Sequence, residues 1–186
     1  MVDRAADRAS SANDAGQAGG DESLTQRLSS TSDVLSRLVI DARISGLHLR
    51  PATSADEAFL LGLRKQTMTE HLSRVGLDLD DEHHRQRLLA NYADACVICV
   101  ADEAIGLCKA YRGETAWVLM QIQVAPAWQG RGVGADIITA LIAQARQEGL
   151  PVSLSVLKGN PARRLYERLG FRVFAQSEHE HELRCE

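Results

Sequence analysis

The sequence has 186 residues, and its 21 Lys and Arg residues against 25 Asp and Glu residues leave a formal net charge of −4. Hydrophobic residues make up 45% of the chain and charged residues 25%, which is typical of a soluble globular domain. The length predicts one domain, with or without an extension. The net acidic charge and the lack of a Lys/Arg run argue against a nucleic-acid-binding protein. No apolar stretch approaches the roughly 20 residues that cross a bilayer, so we expect no membrane association.

Residues 1–45 differ in composition from the rest, because they contain no aromatic residue, Pro, His or Cys. We predict a disordered or partly helical extension here, with a short amphipathic helix over residues 32–44. The folded domain is predicted to cover residues 46–186. The first residues lack the apolar core of a signal peptide, and their acidic residues argue against a transit peptide, so we expect a cytoplasmic protein.

The four cysteines do not form the framework of a disulfide-rich secreted protein. Cys96 and Cys99 have the spacing of a metal motif, but no second Cys or His pair follows at the spacing of a zinc site. Residues three apart on a strand point to opposite faces. We therefore predict buried free thiols, which fit a reducing cytoplasm.

Order is predicted to begin near Gly46, with a strand at 47–50 that Pro51 ends. Ser54 and Glu57 fit a capping box at the start of a first long helix, and a second helix is expected at about 81–92. Strand patterns follow at 95–101, 104–111 and 115–124, joined as hairpins. A helix at 132–148, a strand at 152–157, a helix at 161–169 and strands at 171–176 and 179–184 complete the chain. This order predicts a mixed α/β fold.

The third of these strands leads into a glycine-rich turn. Its alternation places Val118, Met120, Ile122 and Val124 on a predicted core face, and Trp117, Leu119, Gln121 and Gln123 on a partly polar face. Gly130, Gly132 and Gly134 then precede a helix. Glycines before a helix leave backbone N–H groups open to an anion, and the helix dipole favours the same charge. We therefore expect a phosphate or pyrophosphate to bind here.

Two other phosphate-binding motifs are tested by the same residues. A P-loop requires Gly-Lys-Ser/Thr, whereas Gly134 is followed by Ala135 and Asp136. Gly130, Gly132 and Ala135 fit a dinucleotide spacing, but that fold also needs an acidic residue at the end of the next strand. That strand ends at Lys158, which argues against a dinucleotide-dependent oxidoreductase.

Two blocks resemble the GNAT superfamily of acyl-coenzyme A-dependent N-acyltransferases. Gln129, Gly132 and Gly134 match its Q/R-x-x-G-x-G/A signature, and the segments 160–162, 165–167 and 169–171 match its downstream block. The resemblance covers residues 47–184. It implies a mostly antiparallel twisted sheet of about seven strands, flanked by about four helices. It also implies a direct transfer from acetyl-coenzyme A to a primary amine of a small molecule or peptide, without a metal, and dimerisation is common in this family.

The resemblance also implies roles for individual residues. The cofactor would contact a strand end, the glycine-rich turn and the start of the following short helix, through Ile122, Gln123, Val124, Gln129, Gly130, Arg131, Gly132, Val133, Gly134, Ala135 and Asn160. Tyr166 matches the general acid that protonates the leaving thiolate. Residues 116–124 contain no acidic residue, so Glu70 and His71 are the candidates for the general base, with a water chain as the alternative. A non-catalytic acyl-coenzyme A-binding or interaction module remains the competing hypothesis.

Overall fold

The computed structural model of the protein describes residues 31–74, residue 76 and residues 80–186. One seven-stranded sheet has the order β1-β2-β3-β4-β5-β7-β6. Neighbouring strands run antiparallel except for the parallel pair β4 and β5. This confirms the predicted fold class. The strands are β1 Leu47–Pro51, β2 Ala95–Val100, β3 Glu103–Arg112, β4 Trp117–Val124, β5 Val152–Leu157, β6 Arg172–Gln176 and β7 Glu180–Cys185.

Helices cover both faces of the sheet, and five are found in the described part of the chain. They are α1 Thr31–Ser36, α2 Glu57–Arg74, α3 Asp81–Leu89, α4 Val133–Gln147 and α5 Ala162–Arg168. One hydrophobic core joins the sheet to α1, α4 and α5 through residues such as Leu35, Ile137 and Tyr166. A second core on the opposite face joins it to α2 and α3 through Leu60 and Leu88. The sheet therefore separates an α4 face from an α2/α3 face.

Among the described residues 31–45, the helix covers Thr31–Ser36 and does not continue to 44, which corrects the predicted helix over 32–44. From residue 37 to 45 the chain alternates between exposed and partly buried residues. The inward residues Leu38, Ile40, Ala42 and Ile44 pack against the core of the α4 face. We call residues 37–45 the N-terminal strap. Burial that alternates with a period of two residues is typical of extended backbone and not of a helix. The predicted tail over 1–30 lies outside the described residues, and the domain boundary at 45 stays a prediction.

A bulge in β4 changes the faces that simple alternation predicts. Lys109 of β3 pairs with Gln121, but the next residue, Ala110, pairs with Leu119, so Met120 is the extra residue. Trp117 and Leu119 therefore belong to the core of the α4 face together with Ile122 and Val124. The predicted faces were wrong on the N-terminal side of the bulge, because one inserted residue reverses the inward and outward positions beyond it.

Strands β4 and β5 pair over only three residues before they separate. Trp117, Val118 and Leu119 pair with Val152, Ser153 and Leu154, while both strands continue beyond that point. The bulge at Met120 lies where the pairing stops. We call the opening between residues 120–124 and 155–157 the split.

The cysteines are free and buried, as predicted from the sequence. Cys96 belongs to the core of the α4 face and Cys99 to that of the α2/α3 face. Residues three apart on β2 thus point to opposite sides of the sheet, which prevents these two thiols from binding one metal ion.

The turn between β1 and α2 is fixed by an ion pair, and it supplies a first prediction. Arg50 donates two hydrogen bonds of 2.9 and 2.7 Å to Asp56, which also accepts from the backbone N–H and the hydroxyl of Thr53. The capping box therefore consists of Thr53 and Asp56, not the predicted Ser54 and Glu57. The Arg50 guanidinium, helped by Thr53, holds the pKa of Asp56 well below its usual range.

Replacing Asp56 with asparagine should lower the free energy of unfolding by about 2–3 kcal/mol at pH 7, because bonds to a charged group are lost. A depressed carboxyl pKa stabilises the fold above the unfolded pKa near 4, and this contribution is lost as the pH falls below it. Urea unfolding should show a smaller difference in the free energy of unfolding between wild type and variant at pH 3 than at pH 7. The exposed Asp102→Asn is the control, expected within about 0.5 kcal/mol of wild type. An equal gap at both pH values would contradict the ion-pair explanation.

Candidate active site

The glycine-rich turn shapes the start of α4. Gly130 and Gly132 adopt φ angles of 72° and 90°, a left-handed conformation that other residues rarely tolerate. The turn delivers the chain into α4, whose first N–H groups have no carbonyl partner within the helix. Gln129 donates its side-chain amide to the Val124 carbonyl oxygen at 2.8 Å and so ties the turn to the end of β4. The N–H groups of residues 133–135 are thereby held next to the split.

The backbone of β4 alternates its hydrogen-bonding direction beside this turn. The Ala125 N–H donates to the carbonyl oxygen of Ile105 in the adjoining strand β3 at 2.8 Å, so Ala125 faces β3. By alternation, the N–H and C=O groups of Ile122 and Val124 face the split, and those of Gln123 face β3. In agreement, a Cβ on Gly106 of β3 would collide with the Gln123 carbonyl oxygen. The geometry differs from the sequence-based prediction here, because the Gln123 backbone does not face the split.

Helix α5 brings the downstream sequence block to the same place. A Cβ on Gly134 would lie 3.8 Å from a methyl group of Leu165 and 3.9 Å from one of Ile122, so α5, β4 and the start of α4 meet here. Tyr166 is only 8% exposed, and its ring packs edge-to-face on Phe171 with the centroids 5.9 Å apart. Burial, with a smaller effect from the Cys108 thiol, raises the pKa of Tyr166 to about 12. Tyr166 belongs to the same core as Cys108 and its cross-strand partner Ile122, so it lies on the α4 face of the sheet.

Asn160 caps the start of α5, because its side-chain oxygen accepts from the Ala162 N–H at 2.9 Å. It also borders a surface pocket of about 410 Å³. The basic residues Arg163 and Arg164 line the same pocket. Arg163 donates hydrogen bonds to the side chains of Glu167 and His181.

Of the remaining predicted residues, the structure describes Arg131 but not the side chains of Glu70 and His71. Arg131 stacks over the Trp128 ring, 5.0 Å from its centroid, at the edge of the glycine-rich turn. Glu70 and His71 belong to α2, but their side chains lie outside the described part of the structure, so their role stays a prediction.

Arg43 of the N-terminal strap is a site residue that the sequence did not reveal. Its backbone N–H donates to Asp136 at 3.0 Å, and its guanidinium lies 3.6 Å from the same carboxylate. A Cβ on Gly132 would lie only 2.5 Å from a terminal nitrogen of Arg43, so this guanidinium covers the turn. The Arg43 side chain is nevertheless 68% exposed. A single arginine in a strap carries no motif, and only the folded strap places it here.

Solved structures with the same fold include several acetyltransferases. A PaiA N-acetyltransferase from Thermoplasma acidophilum, solved in complex with coenzyme A, shares 12% identity over 75% of this chain and 98% of its own, with a TM-score of 0.61. An acetyltransferase from Thermus thermophilus shares 19% identity over 77% and 98%, also with a TM-score of 0.61. At these identities the similarity shows the fold alone. A search of curated proteins gave no match.

The sequence itself matches a family model over most of the folded chain. The model describes the acetyltransferase (GNAT) family and covers residues 61–171, which include the glycine-rich turn, the split and Tyr166. No helix in the described part of the chain is long and apolar enough to cross a membrane. Motif, fold and family model agree, and the chain belongs to the GNAT acetyltransferase family.

Proposed function

We propose that the protein is an N-acetyltransferase that transfers an acetyl group from acetyl-coenzyme A directly to a primary amine of a small molecule or peptide. The split carries this proposal, because it sets the outward backbone groups of Ile122 and Val124 beside the N-terminus of α4. An extended ligand with amide groups and a diphosphate matches both features. A cytoplasmic location and a homodimer remain predictions.

The cofactor residues follow from this arrangement. The amide groups of the ligand's arm would pair with Ile122 and Val124 in the manner of an added strand. The diphosphate would accept hydrogen bonds from the N–H groups of the turn and the first turn of α4, at residues 130–135. Asn160 and the pocket beside it would contact the more distant parts of the cofactor. Gln129 would act indirectly, through its bond to the Val124 carbonyl.

Acetyl-coenzyme A supplies an acyl group activated as a thioester, and the chain supplies positioning and proton transfer. Tyr166 is the proposed general acid, which donates its hydroxyl proton to the departing sulfur. A pKa near 12 keeps this hydroxyl protonated at neutral pH. A backbone N–H near Val124 that is not paired with the cofactor's arm would stabilise negative charge on the reacting carbonyl oxygen. Glu70 or His71, or a water chain, would remove the proton from the amine.

A two-stage assay tests this function. Calorimetry should show that coenzyme A binds, and a thiol-release assay with acetyl-coenzyme A should then show turnover with at least one member of an amine panel. Binding without turnover of any amine would favour the non-catalytic module. Absence of binding would contradict both hypotheses.

The position of Arg43 over Gly132 gives a further prediction. We expect Arg43 to bind the cofactor phosphates together with the turn, so Arg43→Ala should raise the Kd for coenzyme A about 5- to 20-fold. Screening of the charge should shrink this difference at high salt. Arg37→Ala is the matched control, because Arg37 is exposed on the same strap. Calorimetry at low and high salt measures both variants. A Kd that is unchanged or lower in Arg43→Ala would show that the arginine does not hold phosphate.

A further inference from the structure

The α2/α3 face of the sheet buries three basic side chains beside one another. Arg64 of α2, His84 of α3 and Lys109 of β3 are 5%, 2% and 0% exposed. Burial, and after it the charge of Arg64, lowers the pKa of both His84 and Lys109, that of Lys109 to about 8. The core of this face joins the same three elements through Leu63, Leu88 and Leu107, and Lys109 reaches the Leu88 carbonyl oxygen of α3. The three groups are therefore neighbours, and we call them the basic cluster.

The members of the cluster differ in how their polar atoms are satisfied. Lys109 donates to the carbonyl oxygens of Leu88 and Ala90, at 2.6 and 2.8 Å, and so caps the end of α3. The Nε atom of Arg64 and the Nδ1 atom of His84 are buried without any hydrogen-bond partner. Among the described residues, no carboxylate forms an ion pair with Arg64, although Asp94 offsets part of the Lys109 charge. Arg64 is thus almost fully buried and has no ion-pair partner among the described residues.

Lys109 connects the basic cluster to the edge of the split. Lys109 is the cross-strand partner of Gln121, so their side chains share the α2/α3 face. Gln121 follows the bulge and comes two residues after Leu119, where the pairing of β4 with β5 ends. The side-chain oxygens of Gln121 and Gln123 are also buried without a partner. Two buried acceptors without a partner therefore lie on the same face of the sheet as the buried Nε atom of Arg64 and Nδ1 atom of His84.

A buried guanidinium without a counter-ion is unfavourable for folding, because the charge loses its hydration and gains nothing in return. A ligand that carries an anionic group would supply the missing partner. The planar guanidinium binds a carboxylate or a phosphate through paired hydrogen bonds. The glutamine oxygens can accept hydrogen bonds from an amine, so the same ligand would present an N–H group next to the split.

We propose that the amine acceptor carries an anionic group, a carboxylate or a phosphate, which binds to Arg64 and the basic cluster while its amine lies at Gln121 beside the split. This inference rests on the proposed acetyltransferase function and narrows its acceptors to small amines that bear a negative charge. Uncharged amines and polyamines lack the group that Arg64 requires.

The first arm of the test compares matched acceptors on the full-length protein. Glycine is paired with glycinamide, glutamate with its diamide, and phosphoethanolamine with ethanolamine, each with acetyl-coenzyme A in the thiol-release assay. We expect the anionic member of at least one pair to show a kcat/KM at least about tenfold higher. The pair that responds separates a carboxylate from a phosphate. Equal or better turnover of the neutral members would overturn the proposal.

The second arm isolates Arg64 and does not depend on turnover. Inorganic phosphate is titrated against coenzyme A-saturated protein, so that the glycine-rich turn is occupied, and the melting temperature is followed. Phosphate should stabilise wild type and Lys65→Gln but not Arg64→Gln. Lys65 is the matched control, because it also carries a positive charge on α2 but is exposed and paired with Asp81. In the first arm, Arg64→Gln should lower kcat/KM for the anionic acceptor about 10- to 100-fold.

The two arms separate this inference from the function on which it rests. Phosphate stabilisation that is lost in Arg64→Gln, without acetylation of any amine, would reject the acetyltransferase function and retain the anion site. A different result would reject the anion site and retain the function. In that result amines are acetylated without preference for the anionic members, and phosphate changes the melting temperature equally in Lys65→Gln and Arg64→Gln.

Discussion

Replacing Tyr166 with phenylalanine should lower kcat about 100- to 10,000-fold, the usual contribution of a general acid, while the Kd for coenzyme A changes less than about twofold. The departing thiolate then has no proton donor, but the ring stays packed on Phe171. Single-turnover rates and calorimetry on the same protein preparation measure the two quantities. A parallel loss of binding and rate would instead indicate a structural role for this tyrosine.

The pH dependence sharpens this test. A pKa raised to about 12 keeps the Tyr166 hydroxyl protonated well beyond the ordinary value for tyrosine. The rate of the wild-type enzyme should therefore not fall on the alkaline side because of Tyr166 until the pH exceeds about 10. Tyr111→Phe is the control, since Tyr111 lies at the far end of β3 from the turn that follows β4. A Tyr111 variant as slow as the Tyr166 variant would remove the special role of Tyr166.

Much of the fold follows from sequence periodicity and turn residues. The strand at 152–157 was predicted with its observed bounds, and the other strands and the helices after residue 46 were each predicted within about three residues of them, apart from the long first helix, whose end was not predicted. Hydrophobic alternation and glycine positions are local signals, and they determined these elements. The bulge at Met120 was not predictable in the same way, because an inserted residue shows only in the register between two strands.

The candidate site likewise contains residues that the sequence could predict and residues that it could not. The glycine-rich turn and Tyr166 belong to contiguous motifs, so the sequence could propose them. Arg43 and Arg64 belong to no motif, and their proposed roles depend on residues that are distant in sequence. Arg43 lies over Gly132, and Arg64 lies near the buried Lys109. Such residues become visible only when tertiary packing brings them together. The features that select the acceptor therefore lie mostly outside the motifs that identify the family.

Replacing Arg64 with a neutral residue should raise the free energy of unfolding, although it lowers the activity toward anionic acceptors. A buried cation without an ion-pair partner costs free energy, so a protein keeps it at the expense of its own stability. This cost falls on the α2/α3 face, whereas the features proposed to bind the cofactor are assembled around the α4 face. In this proposal the α4 face binds the cofactor mainly through backbone groups, and the α2/α3 face selects the acceptor through side chains.

Replacing Gly132 with alanine should raise the Kd for coenzyme A at least about 100-fold, because two or more charge-assisted hydrogen bonds to the diphosphate would be lost. At a φ angle of 90° a Cβ is strained by about 1–2 kcal/mol. It would also lie 2.5 Å from a terminal nitrogen of Arg43. The exposed Arg43 guanidinium can swing away from this Cβ and so leaves its place over the turn. The strain at Gly132 shifts the backbone of the turn and redirects its N–H groups.

Gly134→Ala is the matched control for this prediction. Its added Cβ would meet Leu165 and Ile122 at 3.8 and 3.9 Å, which are ordinary contact distances. Its helical position tolerates alanine and gains up to about 1 kcal/mol of stability. Calorimetry should therefore show near-normal coenzyme A binding for Gly134→Ala and a severe loss for Gly132→Ala. Equal losses in both variants would mean that any side chain on the turn obstructs the ligand, and that the left-handed conformation of Gly132 is not the feature that forms the anion site.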